Sequence, residues 1–111
     1  SAFEIGEAVV FFVESDVAGY LVIETRKHQN EVSSKIFPNH MMRDNYIAQN
    51  KVYNIGGAGY EFKFVVKAPV GREFVKATLY KDEDLSHVVS ERTITYNIVT
   101  TILPPYIKKG E

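Results

Sequence analysis

"YEFKFVVKAPVGREFVKATLY", Tyr60 to Tyr80, is the stretch whose reading decides the fold class. In its first half Tyr60, Phe62, Phe64 and Val66 alternate with Glu61, Lys63, Val65 and Lys67. A period of two sends one set to a buried face and the other toward water, as in a half-buried β-strand. "APVG", Ala68 to Gly71, reads as a turn with proline at its first central position. The second half repeats the pattern, with Val75, Ala77 and Leu79 on one side and Phe74, Lys76, Thr78 and Tyr80 on the other.

The same period extends in both directions. "ERTITYNIVTT" sets Ile94, Tyr96 and Ile98 against Thr93, Thr95 and Asn97. Its β-branched and aromatic residues suit a pleated surface. "EAVVFFVES" is apolar on both faces and predicts a central strand covered on each side. "GYLVIETRK" follows the turn "SDVAG", and Gln29-Asn30 separates it from "EVSSKIF" as a hairpin. "IGGAG" reads as a flexible link between strands. "NYIAQNK" and "DEDLSHVVSE" have room for a turn or two of helix each, and no more. The expected fold is an all-β, antiparallel β-sandwich of the immunoglobulin-like kind with about seven strands. It forms a single domain over residues 1–111, and "PPYIKKGE" (104–111) is a tail or linker.

Composition narrows the function classes. Thirteen basic against fourteen acidic residues leave no basic excess for neutralising phosphates, so nucleic acid is not an expected partner. The absence of cysteine removes disulfides, thiol nucleophiles, iron–sulfur clusters and zinc knuckles. No apolar run reaches the roughly 20 residues that span a bilayer, and no signal peptide is visible. Ser1-Ala2 reads as a foreign remnant, so the piece is expected to come from a longer protein whose leader it cannot report.

Candidate chemistry is sparse. His28, His40 and His87 are not spaced to converge on one ion. His40, Met41, Met42 and Asp44 cluster after Pro38-Asn39, where a methionine is expected to turn inward and fill a core gap. Asp84, Ser86 and His87 lie close together, but adjacent serine and histidine on a loop are expected to point apart, and no nucleophile elbow is present. The glycines of "GGAG" precede a strand rather than a helix, unlike a phosphate loop. Glu24 with Glu31, or Glu61 with Glu73, would face each other only as charged cross-strand neighbours. The aromatic excess is more telling. Tyr46, Tyr53, Tyr80 and Tyr106 stand near loops or on polar faces, where tyrosine suits protein or glycan contact.

Several segments appear in one order: Gly6-Glu7 before an apolar strand, Gly19-Tyr20-Leu21, Ile36-Phe37-Pro38-Asn39, Asn45, Ala48 and Ala68-Pro69-Val70-Gly71. Together they resemble the bacterial domain of unknown function (DUF) family 4384, over residues of about 5–80. Gln49 stands where that family usually has glycine, and Asn30-Glu31 replaces a glycine of the hairpin. The resemblance implies an accessory module of envelope lipoproteins, or of kinase-like and caspase-like proteins, and brings no catalytic residues.

The expected protein is therefore a non-enzymatic binding module of a bacterial envelope protein, without cofactor or metal. It would contact a protein or envelope component in the periplasm or at the outer membrane, with a possible lipid anchor in the parent. The alternative is a ligand-sensing regulatory domain of a larger kinase- or peptidase-like protein, with a cytoplasmic location. Asn39, Arg43, Tyr46 and Tyr53 are the candidate binding residues.

Overall fold

A computed structural model describes residues 1–28 and 32–100. The Gln29-Asn30 turn, Glu31, Tyr106 and the 104–111 tail lie outside the described residues. Ten strands follow in chain order: β1 (Ala2–Glu4), β2 (Ala8–Val9), β3 (Phe11–Val13), β4 (Gly19–Arg26), β5 (Ser34–Phe37), β6 (Tyr46–Ile47), β7 (Tyr53–Ile55), β8 (Phe64–Val65), β9 (Gly71–Tyr80) and β10 (Val88–Val99). The described residues form no helix.

One sheet of six strands dominates, in the order β1-β10-β9-β4-β5, with β6 beside the start of β4. It is mixed, because β1 runs parallel to β10 while the other pairs are antiparallel. Two small antiparallel sheets, β2-β8 and β3-β7, complete the fold, and no barrel closes. Val9, Phe11, Ile55 and Val66 from the small-sheet segments share one core with Leu21, Ile23, Phe37, Val75, Leu79, Tyr96 and Ile98. One face of the large sheet thus carries the core, and the other carries Tyr20, Glu24, Lys76 and Glu91.

Several expectations change. "EAVVFFVES" is not a central strand; it splits into β2 and β3 outside the large sheet, and Phe12 is 74% exposed. Being apolar on both faces does not require cover on both. The central position belongs to β4, which pairs with β9 on one side and with β5 and β6 on the other. The two short helical segments instead supply β6, the β9–β10 loop and the start of β10. "IGGAG" is a hydrogen-bonded turn, with Gly57 N–H donating to the Asn54 carbonyl and Tyr60 N–H to that of Gly57.

The first half of the decisive stretch, Tyr60 to Lys67, keeps its period while losing most of its ladder. Only Phe64–Val65 pair as a strand, yet Tyr60, Phe62, Phe64 and Val66 pack on the core and Glu61, Lys63, Val65 and Lys67 stay exposed. Alternation follows burial, and the irregular run Tyr60–Lys63 still presents alternate faces. The Phe11–Phe64 and Phe62–Phe64 rings lie 5.4 and 5.2 Å apart.

β5 ends at Phe37, because Pro38 has no N–H for further ladder pairing. Phe37 is 1% exposed, and Asn39 closes a tight turn after Pro38. Met42 packs on the core while Met41 remains half-exposed. Next to Gln49, Asn50 takes φ 58°, a left-handed conformation that asparagine tolerates.

Gly19 has a steric reason. A Cβ there would lie 2.5 Å from the Tyr80 carbonyl oxygen and 2.9 Å from Leu79 Cγ. Gly19→Ala is expected to lower stability by about 1–3 kcal/mol through overpacking of the β4–β9 contact. Urea unfolding midpoints check this, and an unchanged midpoint would show that the strands can separate without cost.

Candidate functional site

On the outer face of the large sheet, register assembles what sequence distance keeps apart. Tyr20 of β4 stands opposite Tyr46 of β6 and opposite Tyr80 of β9. Directly paired residues share a face, so the three tyrosines form one row across adjacent strands about 4.8 Å apart. Val88 of β10, opposite Tyr80 and 58% exposed, continues it. The Tyr20 and Tyr46 rings meet edge to face at 5.5 Å. Tyr46 is held there because Asn45 Nδ2 donates to the Leu21 carbonyl, Leu21 N–H donates to that of Asn45, and Tyr46 N–H donates to Asp44 Oδ1.

Beyond the row, Val22 and Thr78 pair as a buried step on the same face. Lys76 then lies 3.6 Å from Glu24 and 3.5 Å from Glu91. The row is therefore an aromatic strip bordered by charge.

The sequence candidates separate on inspection. Tyr46 is half-exposed within the row, and Arg43, three residues before it, is exposed with no hydrogen bond or ion pair among the described residues. Asn39 is committed to its own loop: Nδ2 donates to the Ile36 carbonyl, and Oδ1 accepts from Met41 and Met42 N–H. Tyr53 packs on the core, and its hydroxyl accepts from Ala48 N–H at 2.7 Å. Both side chains are engaged in local hydrogen bonds. Tyr20, unremarked as a contact residue, and Tyr80 join Tyr46 only through cross-strand register.

The core face carries a second polar group. The buried Glu73 accepts from Lys27 Nζ at 3.0 Å and from the Tyr96 hydroxyl at 3.2 Å. Lys27 Nζ also donates to the Lys67 carbonyl. Glu73 therefore answers to Lys27 and Tyr96, while Glu61 is exposed. These groups open onto a groove of about 560 Å³ shared with Thr25, Ile36 and Lys63. Burial above all, then the Glu73 charge and hydrogen bond, push the Tyr96 hydroxyl far above the usual tyrosine range. The unfolded chain ionises this tyrosine near pH 10 while the folded chain keeps it protonated. Stability should hold below about pH 10 and fall as pH rises above it, and Tyr96→Phe should flatten most of that slope. Tyr60, also raised by burial, accounts for a remainder. Denaturant titrations across this window check both statements; an equal slope in Tyr96→Phe would refute them.

In the β9–β10 loop, Ser86 and His87 do not point apart. Ser86 Oγ lies 3.0 Å from His87 Nδ1, and the acid on that nitrogen is Asp82 rather than Asp84. A catalytic triad places serine and acid on opposite ring nitrogens. Here both meet Nδ1, so the ring cannot pass a proton between them. Asp84 instead accepts from Ser86 N–H. The His87 hydrogen bond chiefly holds the Asp82 carboxyl below the usual range. The arrangement folds an exposed turn.

Among the described residues no group of three His, Asp or Glu side chains is placed to hold a metal ion. No helix among them is long and apolar enough to cross a membrane. The sequence model of a family described as "Domain of unknown function (DUF4384)" matches residues 2–82. No curated protein and no solved structure matches the chain.

Proposed function

Because the chain belongs to the family of domains of unknown function DUF4384, matched over residues 2–82, we propose that it is a non-catalytic binding module of a bacterial envelope protein. In this reading the large sheet and the small sheets act as an immunoglobulin-like sandwich. The module faces the periplasm or the outer membrane, its parent carries the anchor, and it contacts a protein or envelope component. The tyrosine row carries the reading. Tyrosine offers wide, stiff contact area with a hydrogen-bonding tip, and Tyr46, Tyr20 and Tyr80 present it on a continuous β surface.

The test is chemical-shift mapping on titration with soluble peptidoglycan fragments and with the parent protein's remaining domains. Perturbations should concentrate on Tyr20, Tyr46, Tyr80 and Val88, and Tyr20→Ser/Tyr46→Ser should weaken binding about tenfold or more while leaving the fold intact. Perturbations confined to other surfaces would overturn the assignment.

A second reading, a ligand-sensing regulatory domain on a larger kinase- or peptidase-like protein, draws its support from the groove beside Glu73 and Lys27. A thermal-shift screen against small anionic and cationic metabolites separates the two readings.

A further inference from the structure

A second groove, of about 570 Å³, opens on the core side of the large sheet away from the tyrosine row. Its lining has an informative order. β4 contributes Leu21 and Ile23, β9 contributes Val75, Ala77 and Leu79, and β10 contributes Ser90, Arg92 and Ile94. Each strand gives alternate residues, as one face of a sheet does. β3 and the chain around it give consecutive residues, Val10 through Asp16. Consecutive residues line a space when a strand meets it with its edge. The groove is thus a sheet floor with a strand edge for its wall.

β3 pairs with β7 on one side, and no described strand pairs with its other side. Alternate N–H and C=O groups of β3 therefore face the groove without ladder partners. The floor beneath is incompletely covered: Ile94 is 50% exposed, although Tyr96 and Ile98 on the same face of β10 are buried. The layer over β10 is incomplete at Ile94.

We infer that this groove is a strand-acceptor site, which takes an extended segment of a partner polypeptide along the free edge of β3. Main-chain hydrogen bonds to β3 would hold it, and the pleat would point alternate side chains at the floor. Those facing Ile94, Ala77 and Val75 must be apolar. Arg92 has no ion pair among the described residues and lies on the floor, so the position above it calls for a carboxylate. The occupant is a single extended segment rather than a second copy of this chain. The floor reaches past the wall, so a second folded copy would meet β10 before its own β3 reached this edge. The site is independent of the tyrosine row, which lies on the opposite face.

The full chain can be tested with a labelled synthetic peptide that alternates valine and threonine, with one valine replaced by glutamate. The control contains the same residues with the valines grouped together. The alternating peptide should bind and slow hydrogen exchange at amides of Val10–Glu14, and the grouped peptide should not. Arg92→Glu, at an exposed site that leaves the unfolding midpoint unchanged, should weaken binding about tenfold, and a lysine in place of the peptide's glutamate should restore it. Equal binding of both peptides would overturn the proposal. So would protection, in the free chain, of the β3 amides that do not donate to β7, which would mean that the chain fills its own groove. Protection that rises with protein concentration alone would assign the edge to a second copy and overturn it as well.

Discussion

Phe37→Ala should lower the free energy of unfolding by about 3–5 kcal/mol, a large share of what a domain of this size has. Phe37 is 1% exposed and closes β5 opposite Ile23, itself 1% exposed, with the Phe62 ring 6.2 Å away. Its neighbours cannot collapse into the vacated space cheaply. β4 is held on both sides by other strands, and the backbone after Phe37 is fixed by Pro38 and the Asn39 turn. Phe37→Leu retains most of the volume and should cost markedly less. Equilibrium urea unfolding of the two variants measures this, and a loss below about 1 kcal/mol for alanine would mean that the site repacks.

The second large effect concerns charge. Lys27→Met leaves the Glu73 carboxylate buried with, among the described residues, the Tyr96 hydroxyl as its remaining hydrogen-bond partner. Breaking a buried pair by removing one partner costs about 3–5 kcal/mol; the Lys27 side chain is 25% exposed, so the lower end applies. Lys27→Met/Glu73→Leu, which removes both charges, should recover most of the stability. A double-mutant cycle with no coupling between the two positions would rule this account out.

The two variants show which parts of the molecule were legible beforehand. Ile36 and Phe37 of "KIFPN" read as the core-side end of a strand that Pro38 stops by lacking an N–H, and Phe37 is buried there. Glu73 could not be read this way. Nothing in "GREFVKA" distinguishes a buried glutamate from a solvated one, since its burial depends on Lys27 and Tyr96, each more than twenty residues distant.

The tyrosines divide in the same way. Tyr46 could be chosen as a contact residue from its polar, loop-like surroundings, and it is half-exposed. Tyr53 and Asn39 looked equivalent but are taken up by local hydrogen bonds. Tyr20 sat inside an apolar strand with no sign of exposure, and its place in the row follows from register alone.

By itself, the sequence determined the β class, the alternation of faces in Tyr60–Tyr80, the turn at Asn39 and the family pattern, because period, proline geometry and side-chain volume act over a few neighbouring residues. Only the tertiary structure decided that the most apolar stretch is an edge rather than a centre. Likewise, it decided that Tyr46, Tyr20 and Tyr80 share a row and that β3 leaves an open edge over β10. Those outcomes depend on which strands pair and in what register, a choice made by long-range hydrogen bonding and core packing that no local pattern specifies.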